Sequence, residues 1–229
     1  MPVTRRHAMR LSAKAVLGLL AARAHAPAHA GRSLDWSRFL EQLSALAEAQ
    51  FSPGWDPESH VDDVARLMKA LDLRDRPFRR FLRQYEDTVA GRPAVQGVHH
   101  GGHFSVATLH FEPGEAIGLH DHPRMTGVIL GLRGAARITA FDRTPHPDRE
   151  DWYRLRQVAD GVVGAGDHAT LTPTRGNVHC LKADVYTELL DVFTPPYDEQ
   201  RSAEFRWYER SVAPVGVPGL FDAWERLPG

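Results

Sequence analysis

From Gln96 onward the chain is written in short apolar and β-branched runs, broken every few positions by glycine, proline or aspartate, and no other feature restricts its architecture more. Runs of this length and alternation are those of half-buried strands. The pattern predicts strands near Phe104–Phe111, Ala116–His120, Thr126–Leu132, Ala135–Phe141, Tyr153–Val158, Gly161–Gly164, His168–Thr172, His179–Lys182 and Tyr186–Phe193. Many short antiparallel strands hide their edges by closing on themselves, so a small barrel or jelly roll with a pocket at one mouth is expected. Beyond Pro195 the chain reads as a tail laid over that barrel, anchored by Phe205, Trp207, Tyr208 and Trp224.

Ahead of the strands the period changes to that of helices. Trp36, Phe39, Leu40, Leu43, Leu46 and Ala47 form one apolar stripe. A second helix starts near Asp56-Pro57, a capping residue followed by a proline at the first helical position, and carries Val61, Val64, Leu67, Met68 and Leu71 on one face. A third is predicted from Pro77 to about Ala90, ended by Gly91 and Pro93. The basic run Arg74, Arg76, Arg79, Arg80 and Arg83 lies on the polar side of that helix and reads as a solvated face. These helices show no chemistry of their own and are expected to pack outside the barrel. The expected organisation is therefore a leader over residues 1–30, helices over 31–92 and the barrel with its tail over 93–229.

The first thirty residues contain Arg5, Arg6, Arg10, Lys14 and Arg23 but no acid. Thr4-Arg5-Arg6-His7, the modest apolar run Ala15 to Ala22 and the small-residue ends Ala24-His25-Ala26 and Ala28-His29-Ala30 resemble a twin-arginine export signal, with cleavage after Ala30. The expected location is periplasmic or otherwise exported; an irregular cytoplasmic tail is the alternative. The apolar run is too short to span a bilayer, so no stable membrane insertion is expected. Over all 229 residues the net charge is -1, which argues against a general nucleic-acid binder. Cys180 is the only cysteine, so no disulfide can form within the chain.

Chemistry concentrates in Gly118-Leu119-His120-Asp121-His122-Pro123. Two histidines at i and i+2 on a strand point to one face and supply two metal ligands with little left to order. The third candidate is His179, in Pro173-Thr174-Arg175-Gly176-Asn177-Val178-His179. With Gly114 before the pair and Gly134 after it, the set resembles the two motifs of the cupin superfamily, a mainly β fold built as a double-stranded β-helix or jelly-roll barrel.

The resemblance sharpens over five blocks: Phe104-Ser105-Val106; Glu112-Pro113-Gly114; Leu119-His120-Asp121-His122-Pro123 with Met125-Thr126; Gly176-Asn177-Val178-His179; and Leu190-Asp191-Val192-Phe193-Thr194-Pro195-Pro196-Tyr197-Asp198. In this order, over about residues 98 to 200, they resemble the cysteamine dioxygenase and plant cysteine oxidase family of thiol dioxygenases. By that resemblance His120, His122 and His179 would hold a mononuclear non-haem Fe(2+), and Asp191 and Tyr197 would line or support the pocket. The partners it implies are a small thiol and O2. Cupins with a fourth ligand place a glutamate three or four residues after the second histidine; here those positions are Thr126 and Gly127. Three neutral ligands leave a cation its full charge and so favour an anionic substrate such as a thiolate. Adding both oxygen atoms to sulfur gives a sulfinate.

Some animal members carry a cysteine two residues before a tyrosine near the C-terminus. The matching positions here are Phe205 and Trp207, which rules out a thioether crosslink there. Cys180, next to His179 on a regular strand, should point to the opposite face and reads as a buried small hydrophobe. His99, His100 and His103 fall in a glycine-containing bend and read as surface histidines, and His146 and His168 offer less. If Asp191 faces the pocket as in that family, it would favour a thiol that also carries an amine: cysteamine, cysteine or an N-terminal cysteinyl peptide; the alternative is that it only orients a metal-bound histidine. Arg124 and Arg175 flank the ligands and would instead recruit a carboxylate, as in 3-mercaptopropionate or free cysteine. Other readings are a metal-dependent lyase or isomerase of the same fold, or an exported non-catalytic sensor. The sequence leaves the thiol and the oligomeric state open.

Overall fold

The structure, a computed structural model, describes residues 33–83 and 94–226. The expected export signal, residues 1–30, and the end of the third predicted helix lie outside them. Among the described residues no helix is long and apolar enough to cross a membrane.

The described residues begin with the helices α1 (Trp36–Glu48), α2 (Pro57–Ala70) and α3 (Arg76–Arg83). Each begins on an aspartate whose carboxylate accepts an otherwise unpaired amide of the first turn. Asp35 takes Arg38 N at 2.9 Å, Asp56 takes Ser59 N at 2.8 Å, and Asp75 takes Phe78 N at 3.2 Å and also Trp36 N at 3.1 Å, which ties α3 to α1. The predicted stripes face inward: Phe39, Leu43, Ala47, Val61, Val64, Met68 and Phe78 are buried.

Among the described residues eleven strands follow: β1 (Ala94–His100), β2 (Ser105–Phe111), β3 (Ala116–His120), β4 (Thr126–Arg133), β5 (Ala135–Pro145), β6 (Trp152–Gly164), β7 (His168–Leu171), β8 (Val178–Ala183), β9 (Thr187–Thr194), β10 (Tyr208–Arg210) and β11 (Leu220–Glu225). A short helix, α4 (Glu199–Glu204), lies between β9 and β10. The strands pair antiparallel into two sheets, ordered β1-β2-β9-β4-β7 and β10-β11-β6-β5-β8-β3. The sheets face each other across a shared apolar core in which Leu109, Phe111, Ile129 and Leu189 of the first meet Ile138, Val163, Leu181 and Ala183 of the second. This is the expected jelly-roll barrel of the cupin type, with a helical segment before it.

The helices pack on the outer face of the first sheet. Strand β9 is the common wall, because side chains alternate across a strand. Leu190 and Val192 join the helical core with Val106, Val128 and Leu130, whereas Leu189 belongs to the barrel interior and Asp191 and Phe193 line its cavity.

Three expectations need correction. The runs at Tyr153 and Gly161 are one strand, β6, because Asp160 does not turn the chain: its carboxylate accepts Arg137 Nε at 2.8 Å and Nη2 at 2.6 Å across the β5–β6 pair, where a register shift absorbs the irregularity. His99 and His100 lie on an edge strand, β1, rather than in a bend. The strand list also stops too early: within the tail beyond Pro195, β11 adds to β6 and β10 to β11, with Trp224 against Trp152 at 4.9 Å between ring centroids.

Candidate metal centre

Strand pairing assembles the site. His120 ends β3 and stands directly opposite His179 on β8, while His122 sits in the turn that follows. The three rings lie 4.5 to 5.0 Å apart by their centroids, each offers a ligand atom within 4.8 Å of the others', and all three are buried. Burial holds all three imidazoles neutral, and for His122 and His179 the neighbouring rings push the same way, well below the usual histidine range. Neutral imidazole is the form that donates a lone pair to a metal.

The hydrogen bonds aim those lone pairs. His120 Nδ1 lies 2.8 Å from the carbonyl of Gly118, an acceptor only, so Nδ1 carries the proton and Nε2 is free to ligate. His122 Nδ1 lies 2.5 Å from the hydroxyl of Tyr197, and its Nε2 is buried without a hydrogen-bond partner, as is Nδ1 of His179. Buried polar atoms without partners are costly, and a divalent cation would satisfy them, so the residues fit a metal ion. No acid stands among the ligands. At Gly127 a Cβ would come within 2.9 Å of the Phe193 ring, so even the root of a fourth, carboxylate side chain there would displace an aromatic wall.

Two further residues, which the sequence reading did not assign a role, hold the loops. Asn177 accepts His122 N at 3.1 Å and donates Nδ2 to His122 O at 2.9 Å, clamping one ligand loop to the other. Asp121, buried between the two ligands, accepts Tyr208 Oη at 2.8 Å, Arg206 N at 2.9 Å and Arg143 Nη1 at 3.1 Å. That draws the C-terminal segment over the site, where Phe205 and Trp207 lie 5.6 and 5.3 Å from the His120 ring. An asparagine beside a ligand and an aspartate between two ligands are the sequence signals that point to such clamps.

A cavity of about 750 Å3 leads to the centre, lined by His179, Asp191 and Phe193 within and by Glu58, Asp62, His168 and Arg175 among others. Asp191 is buried, one carboxylate oxygen has no partner, and burial pushes its pKa up to about 8. Tyr197 stands behind His122 rather than lining the cavity, and burial raises its pKa. Arg124, in a left-handed turn conformation, is paired with Glu204 at 2.5 Å and does not line the cavity. Arg175 does line it, but is engaged by Glu58 at 2.6 Å. Helix α2, to which the sequence assigned no chemistry, thus lines part of the cavity through Glu58 and Asp62.

Cys180 is half-buried on the opposite face of β8, opposite Thr139, with burial raising its pKa. His103 packs on Phe51 and His146 on Asp222, and among the described residues the only cluster of metal-ligating geometry is the three-histidine set.

The family model PCO_ADO matches residues 65–220, more than half of the chain. The chain is 32% identical over 133 residues to a 2-aminoethanethiol dioxygenase of Mus musculus, covering 49% of this chain and 52% of that protein. It is 30% identical over 153 residues to Plant cysteine oxidase 2 of Arabidopsis thaliana, covering 63% and 55%. It thus spans about half the length of these two relatives; for a 2-aminoethanethiol dioxygenase of Homo sapiens the match is 28% over 195 residues, covering 73% and 70%. Among solved structures, a double-stranded β-helix protein from Klebsiella pneumoniae aligns at TM-score 0.40 and 20% identity over 54% of this chain and 90% of that one. With the three-histidine centre in a two-sheet barrel and a family match running from α2 into β11, the chain belongs to the PCO_ADO family.

Proposed function

We propose that the protein is a non-haem iron thiol dioxygenase that oxidises a small aminothiol or cysteinyl thiol to a sulfinate with O2. The observation that supports this best is a cluster of three buried imidazoles with no carboxylate among them, one of which, His179, faces a cavity also lined by Asp191, a buried acid with an unpartnered oxygen. His120, His122 and His179 would hold the ferrous ion, which when bound supplies the charge and redox capacity that bring a thiolate and O2 to react. The chain's own residues do the positioning. Gly118 O and Tyr197 fix the orientation of two ligand rings. Phe193, Phe205 and Trp207 pack against the ligand rings and hold them in place. Asp191 accepts hydrogen bonds from the substrate ammonium, directly or through a water, and so sets the thiol end toward the centre.

The test is anaerobic loading with ferrous iron, followed by a thiol panel read by oxygen uptake and mass spectrometry. The expected product is heavier by two oxygen atoms, both labelled when labelled dioxygen is supplied. Disulfide as the sole product would mean metal-catalysed thiol oxidation. No oxygen uptake with any thiol would favour a lyase, an isomerase or a non-catalytic sensor.

A further inference from the structure

We propose that helix α2 takes part in substrate selection: the carboxylate of Asp62 forms a second cation-binding position at the cavity mouth, and the preferred thiol is a cysteinyl compound with another positive charge outward of its amine. This rests on the thiol dioxygenase reading above.

Size is the first argument. A cavity of about 750 Å3 is of the order that accommodates a drug-sized molecule, well beyond what a two-carbon aminothiol fills. The second is the arrangement of charge along it. At the inner end Asp191 presents a carboxylate oxygen that is buried and without a partner, the natural place for the amine next to the thiol. Farther out, α2 contributes Glu58 and Asp62, one helical turn apart and on one face. They are not equivalent. Glu58 is engaged: it accepts Thr172 Oγ1 at 2.9 Å and Arg175 Nε at 2.7 Å, and so offsets the charge of Arg175, which also lines the cavity. The guanidinium is held further by Nη2 donating to Thr170 Oγ1 at 3.2 Å. The Asp62 carboxylate has no ion pair or hydrogen bond among the described residues, and it lies close enough to His168 to act on its charge. Burial and Lys69 oppose a proton on His168, and Lys69 itself does not line the cavity. Among the described residues the lining thus presents the acid of Asp191 within and an unpaired carboxylate, Asp62, at the mouth, and Arg175, the only arginine of that lining, is already paired.

An ion pair at an exposed position is worth up to about 1 kcal/mol, roughly fivefold in relative binding. The iron-loaded protein is given cysteinyl-lysinamide and cysteinyl-glutamine amide, and sulfinate formation is followed by mass spectrometry. The lysyl compound is expected to have kcat/KM roughly three- to fivefold higher, the difference lying in KM and shrinking at raised ionic strength. In Asp62→Asn the ratio should fall to near one, and in Asp62→Lys it should fall below one. Equal kcat/KM for the two compounds in the native protein, or a preference that survives in Asp62→Asn, would overturn the proposal. Calorimetric binding of the non-reacting seryl-lysinamide and seryl-glutamine amide separates the two readings. A lysyl preference lost in Asp62→Asn, with no sulfinate from either thiol, keeps the subsite and sinks the thiol chemistry. Absence of that preference in binding sinks the subsite.

Discussion

Each histidine of the centre is kept neutral by burial, and two of the three have a ring nitrogen left unpaired, so none is easily replaced. His120→Ala, His122→Ala and His179→Ala are each expected to lose bound iron, because two imidazoles rarely retain a labile ferrous ion. Metal analysis after desalting checks this; full iron in His179→Ala would remove that residue from the ligand set. Tyr197→Phe leaves the His122 ring without its hydroxyl partner, and iron affinity should drop roughly ten- to a hundredfold in chelator competition, the usual effect of losing a partner behind a ligand. Asp191→Asn should lower kcat/KM for cysteamine relative to 3-mercaptopropionate by about ten- to a hundredfold, since a hydrogen bond to a charged group is worth roughly 1.5–3 kcal/mol. An unchanged ratio would leave Asp191 with no part in holding the amine.

Among the elements, α2 bears on both stability and substrate choice. Its His60 is buried against Trp55, with its pKa pushed down to about 4 by burial. The folded pKa lies below the unfolded value of about 6.5, so below pH 6.5 the unfolded chain takes up a proton that the folded one refuses. Stability is unaffected above that pH and falls as the pH drops from about 6.5 toward 4, by on the order of 2 kcal/mol at pH 5. His60→Leu should therefore lose less stability than the native protein between pH 7.5 and 5 in urea titrations. Two positions away, Glu58→Gln would release Arg175 at the cavity mouth, and relative kcat/KM should move toward thiols carrying a carboxylate. The apolar stripes of α1 and α2 are legible in the sequence because burial on one face leaves a period. The acids of α2 are not, because an outward carboxylate looks the same whether it meets water or the mouth of a cavity. Asp160-Gly161 reads as a turn because nothing in sequence shows that Arg137 on the neighbouring strand takes the charge. Likewise β11 is hidden because its partner, β6, lies more than fifty residues earlier. The ligand histidines are legible because two of them share one strand–turn segment and the third lies in a recognisable loop; Asp62 has no such signature.

For the whole molecule, the helices and the barrel share a core across the first sheet, so neither half is closed without the other. A chain begun at Ala94 would expose Val106, Val128, Leu130, Leu190 and Val192 together, and is expected to aggregate on expression where the longer chain does not. We also propose export through the twin-arginine route: N-terminal sequencing of the native protein should find a start near Gly31, and an intact Met1 or Pro2 terminus would overturn it. Strand β9 connects these scales, since its even-numbered Leu190 and Val192 serve the helices and its odd-numbered Asp191 and Phe193 serve the cavity. Its two faces can therefore vary almost as separate alphabets. Libraries at 190 and 192 would tune durability and libraries at 191 and 193 would tune chemistry, while a one-residue deletion just before Leu190 exchanges the two and should abolish both at once.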